Sequence, residues 1–142
     1  MQLASTKGGD SSEKVHKGCA LFQGNHVKDE AGNRAIFADL GSSLATMEAA
    51  KAADAYGLLP GHAVEHSDAE QAYTQAWLDG TESWVRLPKD QCSQAWHDAG
   101  MTDPVVPLKL ALYGHPDSGG HWERHCGSHL TSVGFEPVPN WR

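Results

Sequence analysis

An α+β fold is what this chain of 142 residues predicts, and three observations carry it. Short alternating runs bounded by Gly and Pro read as strands, as in Ser83-Trp84-Val85-Arg86-Leu87 ahead of Pro88. An Ala-rich stretch from Ser43 to Tyr56 and a run from His121 to Val133 read as the two main helices. Finally, strands and helices are mixed in order without the strict alternation of a parallel α/β sheet.

Taken along the chain, residues 1–14 are polar, with Gly8-Gly9 and Ser11-Ser12, and predict a disordered tail; residues 15–142 make one domain. His16–Gln23 predicts a strand around Ala20-Leu21-Phe22, followed by turns at Gly24-Asn25 and Asp29–Asn33. Ser42 or Ser43 is placed to cap the first helix, and Gly57 and Pro60-Gly61 to end it. The alternation Ala63-Val64-Glu65-His66-Ser67 predicts a strand over His62–Ser67, and Glu70–Trp77 a short helical turn. Asp79-Gly80 turns the chain into the strand that Pro88 stops. Residues 89–104 are polar and aperiodic. A strand over Val105–Leu112, a loop over Gly114–Gly120 and a helix over His121–Val133, capped by Gly134, complete the reading.

Composition narrows the function. Eleven Lys and Arg stand against 18 Asp and Glu, a formal charge of −7, which disfavours a free-standing nucleic-acid binder because phosphate contacts need a basic surface. Cys19, Cys92 and Cys126 are odd in number and widely spaced, which fits reduced thiols inside a cell better than a disulfide framework. No apolar run approaches a membrane span, so the chain reads as soluble and intracellular, cytoplasmic or nuclear.

Four blocks carry the strongest functional signal. Lys17-Gly18-Cys19-Ala20-Leu21-Phe22-Gln23-Gly24 comes first, then Ser67-Asp68-Ala69-Glu70-Gln71-Ala72-Tyr73. Glu82-Ser83-Trp84-Val85-Arg86-Leu87-Pro88 follows, and Leu110-Ala111-Leu112-Tyr113-Gly114 with Trp122 comes last. In this order they resemble the reverse transcriptase domain of copia-type LTR retrotransposon polyproteins, over about Lys17 to Val138. The respective family patterns are Lys-Ala-Arg-Leu-Val-x-x-Gly, Asp-Val-Lys-x-Ala-Phe, Glu-x-Val-Tyr-Met-x-x-Pro and Lys-Ala-Leu-Tyr-Gly-Leu-Lys-Gln-Ala-Pro-x-x-Trp. The resemblance implies a partial fingers/palm of a right-hand polymerase, and a fragment of an RNA-directed DNA polymerase that copies RNA template-primer with deoxynucleotides and Mg²⁺. It makes Asp68 the catalytic metal ligand and gives Ala69 a backbone oxygen near the same ion. Tyr73 would gate the sugar, while Lys17, Tyr113 and Gly114 would border the nucleotide.

The departures from the family are specific. Cys19 stands where the family has Arg, His115-Pro116-Asp117-Ser118-Gly119 replaces Leu-Lys-Gln-Ala-Pro, and the chain contains no Asp-Asp pair. Two-metal phosphoryl transfer needs more than one carboxylate, so this chain alone is expected not to polymerise. On spacing alone, Asp68 reads first as a turn or N-cap residue and Tyr73 as a core aromatic. Two alternatives stand beside the polymerase: a non-enzymatic remnant or interaction domain, and a His-rich metal-binding domain. The latter would use His121, His125 and His129, spaced every four residues beside Cys126. Trp122, Cys126, Leu130 and Val133 predict the buried stripe of that helix, with the histidines flanking it.

Overall fold

The structure, a computed structural model, describes residues 2–7, 15–37 and 46–139. Among the described residues it is a small α+β arrangement of three α-helices and two antiparallel two-stranded ribbons. The first ribbon pairs β1 (Gln2–Lys7) with β2 (Val15–Ala20) in the register Gln2↔Ala20 to Lys7↔Val15. Gln2–Lys7, expected within a disordered tail, is thus a strand; ladder hydrogen bonds join backbone groups, and polar composition does not prevent them. Residues 8–14 lie outside the described residues. The second strand ends at Ala20, three residues before its expected end, and the chain turns aside at Gly24–His26 in a 3₁₀ turn.

Helix α1 (Met47–Gly57) is capped by Thr46, whose hydroxyl accepts a hydrogen bond from the Ala49 amide at 3.2 Å. The expected caps Ser42 and Ser43 lie outside the described residues. Almost the whole surface of α1 is exposed, so the cap and local contacts, more than burial, hold it. Thr46→Ala is expected to cost about 1 kcal/mol, read as loss of helical circular dichroism and a lower midpoint of thermal unfolding.

His62–Ser67, expected as a strand, belongs to none. Its alternating residues face α1 instead. The His62 ring meets Tyr56 edge-on with centroids 4.5 Å apart, Val64 fills the space left by Gly57, and His66 lies 3.4 Å from the Asp54 carboxylate. An alternating pattern marks one sided contact, and here the contact is a helix surface.

The second ribbon pairs β3 (Ser83–Arg86) with β4 (Val105–Leu108). It continues past the Asp79-Gly80 turn as a bridge between Trp77 and Leu110, with Leu78 N–H bonding Lys109 O at 2.9 Å and Ala111 N–H bonding Ala76 O at 2.9 Å. Between the strands, where no period was legible, Ser93 opens the short helix α2 (Gln94–Asp98), and Gly100 ends it at φ +74°. Helix α3 (Ser118–Ser132) starts three residues earlier than expected and stops at Gly134, whose φ of +99° closes its last turn. Only Trp122 and Cys126 of its expected buried stripe are half-covered; Leu130 and Val133 are exposed. Ala76 and Ala111 are the buried apolar residues among those described, so the packed centre lies where the second ribbon meets the start of α3.

Candidate functional site

The site is built around the junction of three sequence-distant segments. Tyr113 opens the turn that follows the Leu110 bridge, and its carbonyl accepts a 2.7 Å hydrogen bond from the Phe22 amide. Gly114 follows at φ +90°, a conformation that a side chain disfavours, and a Cβ there would run into the Phe22 carbonyl oxygen. Gly24 meets the Gly114 carbonyl in the same way. The two glycines therefore permit backbone to lie directly on backbone.

Tyr73 reaches this junction from a different direction. It sits in a 3₁₀ turn, Ala72–Gln75, entered through Gln71 in the left-handed region at φ 51°. That geometry costs a non-glycine residue about 1 kcal/mol or more. It is held by Thr74, whose amide and hydroxyl both donate to Gln71 O at 3.0 and 2.9 Å, and by Gln75 Nε2 donating to Glu70 O at 2.6 Å. The turn packs against α3 and sets the Tyr73 ring 4.6 Å from that of Tyr113, tilted by 56°. Tyr73, Tyr113 and Gly114 are thus brought together.

Asp68 and Ala69 are exposed in the irregular stretch leading into this turn; the strand expected to end at Asp68 is absent. Lys17 lies in β2 opposite Ser5. Among the described residues no group of three or more His, Cys, Asp or Glu side chains is placed to hold a metal ion, around Asp68 or on the histidine face of α3. On that face, Arg124 Nη2 approaches His121 Nδ1 at 3.3 Å, and the Trp122 and His125 rings lie 5.8 Å apart.

Below Tyr113 lie polar residues that the sequence did not single out. His115 is 5% exposed and Ser118 is 1% exposed. Ser118 Oγ donates to Leu112 O at 2.8 Å and accepts from the Leu112 amide at 3.0 Å, clamping the end of the ribbon to the first turn of α3. His115 packs against the Phe22 and Phe37 rings, with centroids at 5.0 and 5.4 Å. Its Nδ1 accepts from the Asp117 amide at 3.2 Å and its Nε2 lies 3.1 Å from Ser83 Oγ. Because a backbone N–H can only donate, Nδ1 holds the lone pair and the neutral ring carries its proton on Nε2. Nε2 therefore donates to Ser83. A serine nucleophile needs the reverse, an unprotonated nitrogen facing its hydroxyl, so Ser83 and His115 do not form a catalytic pair in this arrangement. Burial pushes the His115 imidazole below its ordinary value, with Asp117 opposing the shift and His121 adding to it. The run His115-Pro116-Asp117-Ser118 did carry a signal, since Asp and Ser after Pro mark a helix start.

Among the described residues no helix is long and apolar enough to cross a membrane. No protein-family model, curated protein or solved structure matches the chain.

Proposed function

We propose that the chain is a fingers-and-palm fragment of a copia-type reverse transcriptase, contributing to RNA-templated DNA synthesis in a complete polyprotein and inactive as a polymerase alone. The observation that carries this reading is convergence. Segments from three of the blocks that resemble the family meet at one place: Phe22 and Gly24 from the first, Tyr73 from the second, Tyr113 and Gly114 from the last. Side by side, the two tyrosines offer aromatic faces on which a sugar or base can stack. Tyr113 is 38% exposed, so the pair is open to a ligand from solvent.

The residues present do not by themselves make a magnesium site. Asp68 is a single exposed carboxylate, whereas Mg²⁺ retains its water unless carboxylates and substrate phosphates act together. Asp68 can orient a hydrated ion but not hold the pair of ions that phosphoryl transfer uses. The further carboxylates of the complete enzyme are assigned to an Asp-Asp segment, which this chain does not contain. The acidic balance agrees with a fragment whose grip on template-primer comes from other parts of the polyprotein.

The test is a titration of the ¹⁵N-labelled chain with deoxynucleoside triphosphate and Mg²⁺, beside primer extension on an RNA template. Expected are amide shifts confined to the surroundings of Asp68, Tyr73, Tyr113 and Gly114, and no incorporation. In Asp68→Asn the Mg²⁺-dependent part of those shifts is expected to vanish with unfolding unchanged, because Asp68 is exposed. A folded chain whose spectrum ignores nucleotide would overturn the assignment of the site. Incorporation that Asp68→Asn abolishes would overturn the claim of inactivity.

A second reading, a non-enzymatic remnant or interaction domain, is favoured by one observation. The buried apolar residues among those described are two alanines, while Trp77 and Trp84 stand 65% and 56% exposed along the second ribbon. Under that reading nucleotide leaves the spectrum unchanged.

A further inference from the structure

We propose that His115 is an acid-sensitive latch, whose neutral ring ties the start of β3 to the start of α3 and whose protonation releases the Tyr113–Asp117 loop. The inference does not depend on the polymerase reading, because it rests on the ring's own hydrogen bonds and surroundings.

The latch has two sides. On one, Nε2–H donates to Ser83 Oγ on β3; on the other, Nδ1 accepts from the Asp117 amide at the entrance to α3. Two more backbone bonds depend on the same turn, His115 N–H to Leu112 O at 3.1 Å and Ser118 N–H to His115 O at 3.2 Å. Protonation leaves the Ser83 bond intact in kind, since Nε2 already carries hydrogen. At Nδ1 it is incompatible with the bond present, because a new N–H would point at the Asp117 N–H. The Asp117 peptide must then turn away.

An alternative acceptor is close at hand. Asp117 Oδ1 is buried and has no hydrogen-bond partner, although Asp117 occupies the N-cap position, where a carboxylate would normally accept an amide. Moving the Asp117 peptide and bringing its carboxylate to Nδ1–H would satisfy both groups. The latch thus has two bonding states: backbone amide to neutral ring, or protonated ring to carboxylate. Facing the ring from α3 are Asp117 and His121, the first favouring the charged ring and the second opposing it. Ser83 faces it from β3 and is uncharged in this range, while its neighbour Glu82 is engaged with Lys109 at 3.7 Å. Phe22 and Phe37 close the remaining side with apolar rings. In the acid state Tyr113, two residues from the latch, loses its fixed placement beside Tyr73 and Phe22.

The sign of the pH dependence follows. A group held below its unfolded value near 6.5 contributes stability that is complete above that value. This contribution is lost as pH falls from there through the folded value, and is constant below it.

The test is an NMR titration of the whole chain from roughly pH 8 to pH 5, with ring ¹⁵N–¹H correlations reporting the tautomer of each histidine. The expected result is an Nε2–H ring for His115 and a titration midpoint below the ordinary imidazole value. The amides of Tyr113, Asp117 and Ser118 should shift with that same midpoint, and the Tyr73–Tyr113 ring contact should weaken with it. His115→Gln should abolish that step in the amide shifts. An Nδ1–H tautomer, or amides of Tyr113 and Asp117 that stay still while His115 titrates, would overturn the latch. Both readouts come from the unaltered chain, so a His115→Gln variant that does not fold leaves the test decisive.

Discussion

Gly114→Ala is expected to lower stability by about 3 kcal/mol, the sum of two separate penalties. The left-handed backbone at φ +90° costs an L-residue on the order of 1–2 kcal/mol. The added methyl also meets the Phe22 carbonyl oxygen, which is main chain and cannot step aside as a flexible side chain could, so the two segments must separate at a cost of about 1–3 kcal/mol. Gly32 supplies the control. Its φ is +84°, but nothing lies within 4 Å of where its Cβ would be. Gly32→Ala therefore carries the backbone penalty without the collision. Urea unfolding of the two variants should show the larger loss of midpoint for Gly114→Ala, with the denaturant slope unchanged. Equal losses would mean that the Phe22 segment does not rest on Gly114 in solution.

Ser118→Ala should be nearly as damaging although it removes one oxygen. That oxygen serves both backbone groups of Leu112, at 2.8 and 3.0 Å, in a position from which solvent is excluded. Without it the Leu112 amide is left unsatisfied, at about 1–3 kcal/mol, while the Leu112 carbonyl keeps the His115 amide. The small gain in helix propensity from alanine offsets only a few tenths of that. Hydrogen exchange gives the sharper readout: protection of the Leu112 amide should fall selectively, while amides of α1, which do not touch the clamp, should keep theirs. Uniform loss of protection would instead mean that Ser118 supports the whole fold and not this junction.

How much of this was legible in the sequence depends on whether an element is specified locally. Ahead of Pro88 and Gly134, β3 and α3 stop within one residue of where expected because the backbone chemistry of those residues acts without tertiary help. The alternating stretch His62–Ser67 showed its one-sidedness but not what lay on the other side, and alternation cannot distinguish a helix surface from a neighbouring strand. Strand β1 was hidden by its composition, although its partner β2 was legible, and α2 is too short to show a period. Of the candidate site, Tyr73, Tyr113 and Gly114 were chosen separately, and their meeting was not legible, since 40 residues separate the two tyrosines. Asp68 was chosen from the block that resembles the family, and the strand expected ahead of it is not there. His115 and Ser118 stood out only as departures from the family pattern and were given no role, because their importance lies in burial and in backbone partners, and neither leaves a pattern of residue types.

The bond from Phe22 to Tyr113 also bears on the order in which the molecule assembles. Roughly ninety residues of chain lie between its two ends, and closing a loop of that length costs on the order of 4 kcal/mol in chain entropy. The Ser118 clamp spans six residues, and the β3–β4 ribbon closes over a much shorter segment. Local closures come first in such a chain because they ask least of its freedom. The N-terminal segment thus arrives at a landing place already shaped by Gly114 and His115, and it is the part with the most entropy to recover by leaving.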